Sequence, residues 1–90
     1  CLRRGLQAAR TACRNGLRAG NQLTKLIINE IDSEPLAKLD YAGTADAQTL
    51  APVEQVAQDV LFLAAAYVGK ARLIDNCYCN LSNSQPFFVE

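Results

Sequence analysis

Histidine, methionine and tryptophan are absent from the chain. Without histidine, this chain holds no Ser-His-Asp triad, no Cys-His dyad and no His-ligated zinc. Acidic residues are missing from the first 25 positions, which carry Arg3, Arg4, Arg10, Arg14, Arg18 and Lys25. No apolar run reaches bilayer-spanning length: the longest, residues 60–68, is far too short, and no signal peptide is visible. What remains is a chain of 90 residues, half of them hydrophobic and 20% charged. That composition excludes disorder and fits one small domain with one modest core.

The net charge of zero hides an asymmetry, because the residues after Lys25 carry three basic and nine acidic side chains. A basic front segment can bind nucleic acid or anionic lipid, or be the solvated face of a helix beside an acidic surface of its own protein. The absence of interleaved aromatics favours the second reading. Of the four cysteines, Cys1 and Cys13 would lie about 18 Å apart along a helix, too far to bridge. Cys77 and Cys79 make a single Cys-x-Cys, a poor disulfide and half of a zinc site at most. Reduced, structural thiols in a cytoplasmic protein are therefore expected.

Leu2, Leu6, Ala9, Cys13 and Leu17 recur at helical spacing, with Gly5 and Gly16 as weak points and Gly20 as the expected stop. Asn21 then reads as the N-cap of a second helix carrying Leu23, Leu26, Ile27 and Ile31, ended by Pro35. A tight corner between the helices is expected. Residues 37–45 alternate as a half-buried strand, with Leu39 and Tyr41 on one face and Lys38 and Asp40 on the other. Residues 47–52 are a connector behind the turn-prone Asp46, and 53–59 are ambiguous. Residues 60–68 are apolar on every side: Ala64, Ala65 and Ala66 pull towards helix, Val60, Phe62, Tyr67 and Val68 towards strand. Gly69-Lys70 is a turn, and residues 71–76 are the return strand of a hairpin, with Leu73 and Ile74 on opposite faces. From Cys77 the composition becomes that of a linker, until Phe87-Phe88-Val89.

Chemical motifs are few. Gly69-Lys70 lacks the upstream glycine and the following Ser or Thr of a phosphate loop, since Ala64 and Ala71 stand there. Asp40, Asp46, Asp59 and Asp75 are dispersed and read as surface or capping carboxylates. Arg72 and Asp75 are expected to pair and stabilise the hairpin. No catalytic, cofactor-binding or metal-binding residue is assigned.

Three segments carry a family resemblance. Leu39-Asp40-Tyr41, then Thr49-Leu50-Ala51-Pro52-Val53, then the run from Ala65-Ala66-Tyr67 through Val68-Gly69-Lys70-Ala71-Arg72 to Leu73-Ile74-Asp75-Asn76 resemble, in order and spacing, the C-terminal domain of pantothenate synthetase (pantoate–β-alanine ligase). The last run is the most specific. Ala71 departs from the family's usual threonine, and Gly43-Thr44-Ala45 is smaller than its usual apolar strand residues. The resemblance implies an α+β unit over residues 1–76, two helices on a three-stranded antiparallel sheet, with residues 60–68 as strand, and a tail over residues 77–90. It implies a lid on an ATP-dependent ligase that joins pantoate and β-alanine through a pantoyl-adenylate, releasing AMP and pyrophosphate in coenzyme A biosynthesis. ATP with Mg2+ and the substrates would be held by a preceding Rossmann-like domain with a His-x-Gly-His motif, and a Ser-Ser-Arg-Asn segment would lie at the entrance to the C-terminal domain; neither motif occurs in this chain. The fragment alone is expected to be inactive, to bind no cofactor and to engage neither nucleic acid nor membrane. Some relatives are fused to a cytidylate kinase, and Gln85-Pro86-Phe87-Phe88 would be the entry to such a domain. A small nucleic-acid-binding or protein-interaction module is the alternative.

Overall fold

The computed structural model describes residues 2–80, so the expected tail segment Gln85-Pro86-Phe87-Phe88, like Cys1, lies outside the described residues. The element order is α1 (Leu2–Arg14), α2 (Gly20–Asp32), β1 (Ala37–Asp46), β2 (Val60–Val68) and β3 (Ala71–Cys79). The strands form one antiparallel sheet in the order β1-β2-β3. Both helices cover one face of it, giving the two-layer α+β arrangement that the resemblance implied.

The stripe read on α1 is its buried face: Leu2, Leu6, Ala9 and Cys13 are all in the core. The helix ends at Arg14, well before the expected stop at Gly20. Gly16 takes φ +118°, the Gly16 N–H donates to the Cys13 carbonyl and the Leu17 N–H donates to the Ala12 carbonyl. This is a Schellman cap, and Leu17 closes it by packing on the core. Residues 15–19 then separate the helices, so the expected tight corner is a five-residue loop.

Gly20 opens α2 instead of closing α1, and Ala19, not Asn21, is the N-cap. No side chain caps this end. Backbone does so: the Gly20 N–H donates to the Glu54 carbonyl at 2.8 Å, and the Val56 N–H donates to the Arg18 carbonyl at 2.7 Å. The connector comes so close that a Cβ at Gly20 would overlap the Val53 carbonyl oxygen. Residues 53–59, ambiguous in sequence, are thus an irregular strap that bridges to Ala19 and buries Val56. At its other end α2 stops at Ser33, whose Oγ donates to the Glu30 carbonyl, two residues before Pro35.

The alternation read in β1 is broken by a bulge. The register with β2 shifts between Leu39 and Tyr41, leaving Asp40 without a cross-strand partner. Leu39 therefore packs towards the helices, while Tyr41 turns to the open face and is 42% exposed. The two residues expected on one face stand on opposite faces.

Strand β2 is central and pairs along its whole length with both neighbours. Val60, Phe62, Ala64 and Ala66 meet the helices and are buried. Ala65 is also buried on the open face, which explains the absence of polar residues from the run. Gly69 at φ +62° sits first in the two-residue turn, the place where a II′ hairpin requires glycine. The return strand continues past Asn76 to Cys79, and Cys77 and Cys79 are core residues. Polar composition after residue 76 concealed this, because alternate residues of β3 face solvent.

Candidate functional site

The carboxylates singled out in the sequence hold structure together. Asp40 Oδ2 accepts from Arg72 Nε at 2.9 Å and Nη2 at 2.8 Å. The Arg72 guanidinium also lies 6.0 Å from the Tyr41 ring centroid. The Asp40 contact is the main cause that raises the pKa of Arg72 above its ordinary value. Asp75 pairs with Arg3 Nη2 at 2.9 Å, and the same nitrogen donates to the Asn76 carbonyl at 3.3 Å. Arg72 and Asp75 therefore do not pair with each other. Three residues apart on a strand they point to opposite faces, Arg72 to the open face and Asp75 to the helices.

Asp46 Oδ1 accepts the N–H groups of Gln48 and Thr49 at 2.8 and 3.0 Å, an Asx turn at the start of the connector. The Thr49 and then the Gln48 N–H hold this carboxyl below its ordinary pKa. Asp59 accepts from the Tyr78 hydroxyl, and that bond raises the phenol's pKa. Part of the basic front segment is likewise engaged within the domain: Arg3 with Asp75, and Arg4 with Glu30 at 3.6 Å. Gly69-Lys70 forms the turn of the β2–β3 hairpin.

An open groove of about 880 Å³ runs between the start of α2, the middle of β1 and the connector. Asn21, Thr24, Gly43, Leu50 and Val53 line it, and the Thr24 and Thr44 hydroxyls hydrogen-bond at 2.9 Å within it. Among the described residues, Glu54 is its only ionisable lining group, so the groove contains no acid–base couple and no activated nucleophile. Leu50, at its rim, has φ +64° and is 61% exposed.

Among the described residues, Cys13, Cys77 and Cys79 are free and buried. Burial first, and the adjacent Cys13 thiol second, push the Cys79 thiol up to about 12. Sequence reading treated the cysteines by spacing along the chain and missed this meeting of α1 with β3. The available signal was that Cys13 continues the apolar stripe of α1 while Cys77 and Cys79 share one face of a strand.

Among the described residues, no three His, Cys, Asp or Glu side chains converge to hold a metal ion. Neither helix is long and apolar enough to cross a membrane. Two helices on one face of a three-stranded antiparallel sheet define an α+β domain, in which Asp40, Asp46, Asp59 and Asp75 are engaged in turns, hydrogen bonds and ion pairs. The particular family follows from comparison. A sequence model described as Pantoate-beta-alanine ligase matches residues 1–78, and the chain belongs to that family. It is 43% identical over 75 residues to a pantothenate synthetase of Clostridium botulinum (strain Loch Maree / Type A3), covering 83% of this chain and 27% of the relative. A pantothenate synthetase of Clostridium acetobutylicum is 41% identical over 80 residues, covering 89% and 28%. The crystal structure of pantothenate synthetase from Thermus thermophilus superposes with a TM-score of 0.76 at 25% identity, covering 84% of this chain and 27% of that one. The chain thus spans about a quarter of the length of these relatives.

Proposed function

We propose that this chain is the C-terminal lid domain of an ATP-dependent pantoate–β-alanine ligase acting in the cytoplasm. The observation that carries the reading is the family match over residues 1–78, with the ligases' fold retained in the two-helix, three-strand unit. In the reaction proposed for the whole enzyme, the pantoate carboxylate attacks ATP to give pantoyl-adenylate and pyrophosphate. The β-alanine amine then displaces AMP to give pantothenate. An acyl-adenylate is lost if water reaches it, so an enzyme of this kind gains from a rigid cover. The described residues do not fit a nucleotide–Mg2+ site: their carboxylates do not converge, and Gly69-Lys70 lies in a hairpin turn. ATP and Mg2+ are therefore assigned to a preceding Rossmann-like domain, and no chemical step is assigned to this chain.

The test has two arms. The purified chain, given pantoate, β-alanine and MgATP, should form no pantothenate under conditions where the Clostridium relative turns over; ATP-dependent product would overturn the assignment of chemistry elsewhere. A chimera carrying residues 2–79 in place of the matching segment of that relative should retain ligase activity. A chimera that folds and binds ATP but makes no pantothenate would sink the family-domain reading. One observation favours a second reading, an interaction module: Tyr41, Tyr67, Ile74 and Tyr78 are exposed on the open sheet face. A stable dimer of the isolated chain, abolished by Ile74→Lys, would support it.

A further inference from the structure

Strand β3 lies at the edge of the sheet, and the hairpin fixes which of its backbone groups face outward. Val68 and Ala71 flank a two-residue turn, so they exchange backbone hydrogen bonds. Counting on from Ala71, the N–H and C=O of Leu73, Asp75 and Cys77 point to β2, while those of Arg72, Ile74, Asn76 and Tyr78 point away from it. The same count carried across β2 turns Thr44 and Asp46 outward on β1. There the Val53 N–H donates to the Thr44 carbonyl and the Asp46 N–H donates to the Ala51 carbonyl. The edge of β1 is thus covered by the connector and broken by the bulge at Asp40. The edge of β3 runs from Ala71 to Cys79 in unbroken register, with no proline and no lysine, and presents Leu73 and Ile74 to solvent. Such an edge is a template for another strand. One position on it is already occupied. The Asn76 N–H donates to Asp75 Oδ1 at 2.8 Å, and Arg3 Nη2 donates to the Asn76 carbonyl at 3.3 Å. Arg3 and Asp75 are themselves joined at 2.9 Å. The ion pair therefore closes a bracket over both outward groups of Asn76.

We infer that the Arg3–Asp75 pair is an edge guard, an inhibitory contact within the domain that keeps β3 from pairing with β3 of a second copy of the chain. The edge matches itself. Laid antiparallel with Ile74 opposite Ile74, Arg72 faces Asn76 of the second copy, Leu73 faces Asp75, and no like charges meet. Most of the backbone bonds in that pairing need the N–H or carbonyl of an Asn76, and the bracket holds both. With Asn76 closed, Arg72 and Ile74 remain on one side and Tyr78 on the other, too short a run to sustain a two-stranded ladder. Both partners of the guard are partly exposed, so the pair adds little to the stability of the fold. Its effect falls on association, because opening the bracket frees a donor and an acceptor on each copy at once.

Sedimentation equilibrium of the reduced chain over a range of concentrations tests this. Arg3→Ala and Asp75→Ala should each stay folded by circular dichroism and self-associate about tenfold more tightly than the unaltered chain. Arg4→Ala, which breaks the 3.6 Å pair with Glu30 and leaves the bracket whole, should not. Association should slow hydrogen exchange at the Arg72, Ile74 and Asn76 amides, the ones that face the free edge. Adding Asn76→Pro to Asp75→Ala removes an outward N–H without removing a bond to β2, and should return the chain to the monomer. Folded Arg3→Ala and Asp75→Ala variants that associate no more than the unaltered chain would overturn the inference. So would association that Asn76→Pro leaves intact, or unfolding of both single variants, which would make the pair a tie within the fold and not a guard on its edge.

Discussion

Gly20 and Leu50 show how one residue's backbone decides local stability. At Gly20 any Cβ meets the Val53 carbonyl, and the strap that supplies that carbonyl also caps α2. Gly20→Ala should therefore cost about 3 kcal/mol by forced overpacking, whereas Gly43→Ala, with open space around its Cβ, should stay within about 0.5 kcal/mol. Denaturant midpoints of the two variants check this contrast. Leu50 presents the opposite case, a branched side chain in the left-handed region with most of its surface in water. Leu50→Gly should stabilise the domain by about 0.5–1 kcal/mol, since the strain removed exceeds the small burial lost. Asp46 adds a pH dependence. Its carboxyl is held below the ordinary 3.8 by two backbone N–H groups. The unfolded chain thus takes up the proton first, so the stabilisation is fully present above 3.8 and disappears as the pH falls through the folded-state value. Acid titration of stability should show this loss, and Asp46→Ala should flatten that part of the profile.

At the level of elements, helix α1, helix α2 and the hairpin were legible because their signals are local. A stripe every three or four residues and a Gly at a two-residue turn do not depend on what lies across the core. The boundaries that differed depend on distant partners. Asn21 has the chemistry of a cap, but the strap at residues 53–56 reaches the helix end first. Gly16 read as a weak point of α1 and is its cap. Arg72 and Asp75 are neighbours in sequence and strangers in space, each drawn to a charge on another element. The bulge at Asp40 has no sequence mark beyond an acidic residue in a strand, yet it sets which side Tyr41 faces. Deleting Asp40 should leave Leu39 and Tyr41 as consecutive residues already opposite Ala66 and Ala65 on opposite faces, so the register should survive and the loss should stay within about 1 kcal/mol, that of the exposed Asp40–Arg72 pair. Thermal unfolding of the deletion variant, beside Asp40→Ala as the control that keeps the bulge, measures the difference.

For the whole molecule, the family resemblance resolved what periodicity left open. Residues 60–68 satisfy strand and helix equally in isolation, and only their place between two other strands makes them β2. The scattering of the carboxylates was equally legible, since a chain without histidine and with dispersed aspartates offers few ways to assemble a catalytic constellation. The groove beside α2 was not legible, because it is made by the return of the connector across β1 and by no motif. Phe62, wholly buried at the centre of the sheet, is the test of a single cooperative core: Phe62→Ala should cost about 3–5 kcal/mol and lower the unfolding transition of helices and sheet together, as followed by far-ultraviolet circular dichroism and tyrosine fluorescence.

Because α1 lies along β3, the first element and the last are neighbours. Leu2 stands near Asp75, and Asn80 lies about 16 Å further along the strand. A flexible bridge of about eight residues would span that gap with slack, so the unit should tolerate circular permutation, with new ends opened in the exposed turn at residues 47–49. The same adjacency makes it a cassette that can be inserted into a loop of another protein without pulling its layers apart.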